Sequence, residues 1–186
     1  KKAYCSYLGL AKDAEIDAVY IATPHSFHKE HSILCLKQKK AVLCEKPFAM
    51  NLQEVSEMIA VAKENNTLLM EALWTYFLPH YQYVLDLVKS ETYGKFLRFD
   101  ADFGFHPKYD KTSRVFKKEL GGGSLLDIGI YPVFAALSTL GKPNNIEANA
   151  TFFENGADSK CTINFKYKHN LIATLRSFYF FKNPVD

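Results

Sequence analysis

The chain is predicted to be α/β. The C-terminal part of a doubly wound parallel sheet is expected over residues 1–75, followed over 76–186 by an α+β region with an open, largely antiparallel sheet. Three observations predict this. Short apolar runs at Ala18–Ala22, Ala41–Cys44 and Thr67–Met70 alternate with helical patterns across short connections. After about Tyr76 that alternation stops. Three strand-like runs then close the chain, separated by the turn sequences Asn155-Gly156 and Lys168-His169-Asn170.

Each element has its own reason. Ala18-Val19-Tyr20-Ile21-Ala22 is continuously apolar, as in a strand buried on both faces of a parallel sheet. Thr23-Pro24-His25-Ser26 breaks it, and a helix is expected from Phe27 to Lys39. Ala41-Val42-Leu43-Cys44 is the next strand, stopped by Pro47. Asn51-Leu52-Gln53-Glu54 fits a capping box, and Leu52, Val55, Ile59 and Ala62 continue at helical spacing. Thr67–Met70 is the third strand. His80–Lys89 reads as a helix with Tyr81, Val84, Leu85 and Val88 on one face. Gly94–Phe105 alternates, with Leu97, Phe99, Ala101 and Phe103 on one side. Lys108–Lys118 is polar and expected to be a loop. The run Gly121-Gly122-Gly123 leads into a helix reaching Leu140, in which Pro132 predicts a kink or a late start. The last strands are expected at Ile146–Phe153, Cys161–Tyr167 and Leu171–Phe180.

Composition excludes several roles. With 186 residues, 48% of them hydrophobic, the chain can bury a core. A net charge of +3 argues against a nucleic-acid partner, and the basic run Lys37–Lys40 lacks interleaved aromatics. No apolar stretch approaches the ~20 residues that span a bilayer, so no membrane role is expected. Four cysteines without a CxxC pair read as thiols in a reducing, cytoplasmic setting. His28, His31 and Cys35 share a helical spacing that resembles zinc ligands, but no second ligand cluster accompanies them, and no metal is expected.

In a parallel sheet, ligands bind beyond the carboxyl ends of the strands. Thr23-Pro24, Glu45-Lys46-Pro47 and Glu71 to Trp74 all fall at such ends. A lysine there can stabilise a developing alkoxide, and Pro47 admits a cis bond. An ordinary surface lysine in a turn is the plain alternative. Asp127 and Tyr131 lie four residues apart, on one face if the segment is helical. They suit proton exchange with a carbonyl or alcohol, with Asp127 binding a hydroxyl or orienting the site. Alternatively, they are a favourable acid near a helix start and a buried tyrosine. Trp74, the single tryptophan, walls a pocket or belongs to the core.

These segments occur in one order. Ile21-Ala22-Thr23-Pro24 with His28 comes first, then Val42–Pro47, then Met70–Trp74, then Gly121 through Tyr131. Together they resemble the Gfo/Idh/MocA family of NAD(P)-dependent oxidoreductases. The tyrosine at 131 is similar to the glucose–fructose oxidoreductase and trans-dihydrodiol dehydrogenase branch. The resemblance implies a Rossmann domain binding NAD or NADP, and hydride transfer between that cofactor and a CH–OH or C=O group of a sugar, cyclitol or trans-dihydrodiol. It implies Lys46, Tyr131 and Asp127 as catalytic residues. It implies Thr23, Pro24, His28, Glu45, Lys46 and Trp74 along the cofactor cleft. It also implies a homo-oligomer formed through the C-terminal sheet, which Phe152, Phe153, Phe165, Tyr167 and Phe178 to Phe181 would suit. The chain contains no G-x-G-x-x-G, and the family's first strand, glycine loop and ribose-binding acid, which the resemblance would place ahead of Lys1, are not among these residues. A fragment of a longer polypeptide, or a sequence with segments left out, is therefore expected, with weak cofactor binding on its own. A non-catalytic nucleotide or sugar sensor on the same fold is the competing reading. A module that assembles through its open sheet is a third.

Overall fold

Alternation of side chains, rather than a uniformly apolar run, governs the first sheet. The computed structural model describes residues 2–106, 110 and 112–179. The chain divides into two units, Lys1–Leu73 with Glu119–Gly121, and Trp74–Lys118 with Gly122–Asp186.

The first unit contains α1 (Tyr7–Lys12), β1 (Ala18–Ile21), α2 (His28–Lys37), β2 (Ala41–Cys44), α3 (Leu52–Glu64) and β3 (Leu69–Glu71). The strands are parallel in the order β1-β2-β3, pairing Val19 with Val42 and Leu43 with Met70. Ile21, Val42 and Cys44 face α2 and α3 and join Leu36, Cys35, Met58 and Ala62 in one core. The opposite face carries Tyr20, 56% exposed, and Leu43, 38% exposed. Burial on both faces, expected for Ala18–Ala22, is therefore not what these strands show. Within this unit the helices cover one face of the sheet, and period-two alternation sends every second side chain away from them.

Local chemistry sets the boundaries. Ser6 caps α1 by accepting from the Gly9 N–H at 3.0 Å, and Ala11 is fully buried; sequence reasoning missed this short helix. Asn51 accepts from the Glu54 N–H at 3.0 Å, as the capping box requires. The returning Glu54 carboxylate takes the Met50 N–H at 3.1 Å, one residue ahead of the usual position.

The second unit contains α4 (Pro79–Lys89), β4 (Phe99–Phe105), α5 (Ile130–Leu140), β5 (Asn145–Phe152), β6 (Asp158–Lys166) and β7 (Ile172–Tyr179). Its sheet runs β4-β7-β6-β5. The hairpins β5–β6 and β6–β7 are antiparallel, and β4 joins β7 in parallel. Cys161, Ile163, Phe165, Ala173 and Leu175 pack with Ala136 of α5. The other face is polar, with Thr174 donating to Asn164 at 3.0 Å and Arg176 lying 3.9 Å from Asp100.

Two expectations are corrected. The aromatic set expected to present an interface partly faces inward. Phe165 is 4% exposed under α5, and the Phe153 ring meets Phe116 at 5.6 Å, whereas Phe152 is exposed. Alternation along β6 and the closing β5–β6 turn put them there. Phe180, Phe181 and part of the loop expected over Lys108–Lys118 lie outside the described residues. The second correction concerns length. The stretch Lys118–Leu140, 23 residues long, contains an 18-residue window of mean hydropathy 1.4, long and apolar enough to cross a membrane by length and composition alone. Sequence reading has the glycines lead into a helix reaching Leu140, with a kink or a late start at Pro132, and counts no apolar stretch of that length. The part of this stretch from Gly122 onward buries Ser124, Asp127, Ile128 and Ala136 within the second unit.

Candidate active site

A buried histidine organises the strand ends of the first unit. His28 has no exposed surface. Its Nδ1 lies 2.8 Å from the Pro47 carbonyl and its Nε2 lies 2.9 Å from the Thr23 carbonyl. It thus ties the turn after β1 to the turn after β2. The Lys46–Pro47 bond is cis. On the far side of that turn, the Phe48 N–H donates to Glu71 Oε1 at 3.0 Å, so the end of β3 holds it as well. The Cys44 thiol, pushed up to about 12 by burial, points to the Phe48 carbonyl at 3.8 Å. Glu45 accepts from the Tyr20 hydroxyl and from the Lys46 N–H at 3.1 Å. The Tyr20 phenol is raised by that carboxylate, then by burial.

Thr23, Pro24, Glu45 and Lys46 are all half-buried at the carboxyl ends of β1 and β2. His31 Nδ1 contacts the Thr23 hydroxyl at 3.1 Å. His28 lies between two carbonyls and His31 against a hydroxyl. Among the described residues, no group of three His, Cys, Asp or Glu side chains can hold a metal ion. Sequence reasoning placed His28 along the cofactor cleft; in the structure it is fully buried between the Pro47 and Thr23 carbonyls. It missed Tyr20, which reads as one more strand residue. Glu71 was visible only as a strand-end acid.

Burial of Glu71 raises its carboxyl above the ordinary 4.5. The sign follows from linkage. The stabilising contribution is complete below 4.5, and it fades as pH climbs through the raised folded value. At neutral pH the charged carboxylate therefore costs stability. Glu71→Gln keeps an acceptor for the Phe48 N–H, so this variant should unfold at higher urea than the parent at neutral pH and lose the advantage in acid. A glutamine variant less stable than the parent at neutral pH would contradict this.

In the second unit, Asp127 and Tyr131 lie where the helix changes type. Leu125–Gly129 is a π-helical turn that runs directly into α5 at Ile130, and Pro132, which has no N–H to donate, sits just past the change of helix type. Such π turns recur at functional sites. Asp158 anchors the segment: its Oδ2 accepts from Ser124 Oγ and from the Leu125 N–H, each at 2.7 Å. Ser124 also contacts the Ser177 hydroxyl at 3.0 Å.

Asp127 is 9% exposed. It accepts from the Tyr179 hydroxyl at 3.2 Å, and Arg114 stands 3.6 Å away. Burial, then the Asp127 charge, holds the Tyr179 phenol far above its ordinary range. Tyr131 is half-buried. Its oxygen accepts from the Trp74 indole N–H at 3.1 Å, and the Phe103 ring lies 5.5 Å from its own. Trp74, expected along the cofactor cleft, is thus seated against Tyr131. Alternation along β4 placed Phe103 on the helix side. Nothing in the sequence pointed to Asp158 or Tyr179.

Comparison with known proteins covers both units. Residues 1–73 match the oxidoreductase family described as an NAD-binding Rossmann fold, and residues 81–184 match the GFO/IDH/MocA C-terminal domain. The chain is 41% identical over 180 residues to the trans-1,2-dihydrobenzene-1,2-diol dehydrogenase of Xenopus tropicalis, an alignment covering 95% of this chain and 53% of that protein. It is 40% identical over 158 residues to an NADP(+)-dependent scyllo-inositol 2-dehydrogenase of Bacillus subtilis, covering 81% and 47%. Among solved structures, the aldose-aldose oxidoreductase of Caulobacter crescentus with glycerol superposes at a TM-score of 0.85, with 27% identity over 93% of this chain and 53% of that one. A 3-ketoreductase of Actinomadura kijaniata in complex with NADP and TDP-benzene also superposes at 0.85, with 28% identity over 94% and 55%. The chain spans about half the length of the curated relatives it matches.

Proposed function

The chain belongs to the Gfo/Idh/MocA family of oxidoreductases, and from that membership we propose that the whole protein transfers a hydride between NAD or NADP and a CH–OH or C=O group of a sugar, cyclitol or trans-dihydrodiol. The observation that carries this reading is Lys46 at the carboxyl end of β2, the middle strand of a parallel sheet, in a turn braced by His28 and Glu71. Thr23, Glu45 and Lys46 offer a hydroxyl, a carboxylate and an ammonium at neighbouring strand ends. That donor and acceptor set fits the ribose and nicotinamide half of a dinucleotide. When bound, the nicotinamide supplies the carbon that gives or takes the hydride.

The chain's own residues do the rest. The Tyr131 phenol gives a proton to the substrate oxygen in reduction and takes one in oxidation. The Lys46 ammonium stabilises negative charge on that oxygen. Asp127, buried against Tyr179 and Arg114, orients the segment that carries Tyr131. His28 and Glu71 keep the lysine turn in place. A homo-oligomer through the polar face of the second sheet and a cytoplasmic location belong to the same proposal. The four unpaired cysteines support the latter.

The test is nicotinamide absorbance on mixing the whole protein with NAD or NADP and a trans-dihydrodiol, scyllo-inositol or an aldose. Growth of the reduced-cofactor band with at least one of them is the expected result. Cofactor binding without reduction by any would favour a sensor instead.

A further inference from the structure

Trp74 exposes 54% of its surface, so core burial does not explain its position. Among the described residues, its indole makes a specific contact. The Nε1–H donates to the Tyr131 oxygen at 3.1 Å, with the two rings edge-on at 65° and their centroids 6.0 Å apart. The indole N–H can only donate, so the phenol accepts there. The phenol's own proton takes no part in this contact. The Phe103 ring, 5.5 Å from that of Tyr131, adds an apolar neighbour.

From this geometry we infer that Trp74 is a positioning residue for the acid/base step: its N–H fixes the Tyr131 oxygen and directs the phenol proton toward the substrate. This rests on the proposed role of Tyr131 as the proton-exchanging group. The physical argument is differential binding. A hydrogen bond to a neutral oxygen strengthens when that oxygen carries negative charge, because the acceptor is then ionised. The interaction is therefore worth more while the proton is in transfer than in the resting complex, and it acts on turnover rather than on substrate affinity.

The experiment uses the whole protein with NADP and a trans-dihydrodiol. Trp74→Phe keeps an aromatic ring and removes the N–H. It should lower kcat about tenfold while KM changes less than about twofold. In a Tyr131→Phe background the same change should cost nothing further. Equal losses in both backgrounds, or a rise in KM alone, would overturn the inference. Trp74→His, which restores an N–H, should recover part of the loss, and no recovery counts against it.

A second readout is independent of catalysis. Trp74 is the single tryptophan, so fluorescence reports on it alone. Tyr131→Phe should shift its emission, because the indole N–H loses its acceptor. Unshifted emission overturns the inference by showing that the bond does not form. Shifted emission with full turnover in Tyr131→Phe overturns it through its premise, removing the acid/base role while leaving the bond intact.

Discussion

Replacing Lys46 with methionine is expected to lower kcat/KM by roughly a thousandfold or more. Methionine keeps an unbranched side chain of similar volume and removes only the ammonium. The fold should tolerate it, because groups other than that ammonium grip the turn. His28 takes the Pro47 carbonyl and Glu71 takes the Phe48 N–H. Urea unfolding should therefore place Lys46→Met within about 1 kcal/mol of the parent. Steady-state kinetics of the whole protein with NADP and its substrate then separates the roles. Near-normal turnover in a well-folded Lys46→Met protein would refute the assigned role, since no other residue has been given the charge on the substrate oxygen.

Gly123→Ala is expected to be the most damaging single-methyl substitution, lowering stability by at least ~3 kcal/mol or preventing folding of the second unit. Gly123 has φ +124°, a conformation that side chains with a Cβ rarely adopt. An added Cβ would also fall 2.1 Å from Asp158 Oδ1. That carboxylate has little room to retreat. Its other oxygen is held by Ser124 and by the Leu125 N–H at 2.7 Å each, and Asp158 opens β6. Backbone strain and a lost anchor would act together on the π turn that presents Asp127 and Tyr131. Thermal unfolding followed by circular dichroism measures the effect. A variant melting within a few degrees of the parent would show that the segment relaxes freely, and the anchoring role of Asp158 would fall with it.

The legible part of this protein is the part written in local pattern. The strand starts at Ala18 and Ala41, the Asn51 cap, and the turns at Asn155-Gly156 and Lys168-His169-Asn170 match the structure, because each depends on residues within a few positions of one another. Strand polarity followed from short crossovers, so Lys46 could be placed at a carboxyl strand end without coordinates. The face each strand buries was harder to read. Apolar runs such as Ala18–Ala22 do not state which side the helices cover.

From sequence alone came the order of the elements, the family to which four motifs in series point, and the candidates Lys46, Asp127 and Tyr131. Only the tertiary structure assigned partners: His28 between two carbonyls, Glu71 on the Phe48 N–H, Tyr179 on Asp127, Asp158 under the π turn, and Trp74 on the Tyr131 oxygen. The physical reason is range. Helix caps, turns and side-chain periodicity act over a few residues and leave a trace in the sequence. A hydrogen bond between side chains more than fifty positions apart, such as Trp74 to Tyr131, exists only once packing has brought the two segments together.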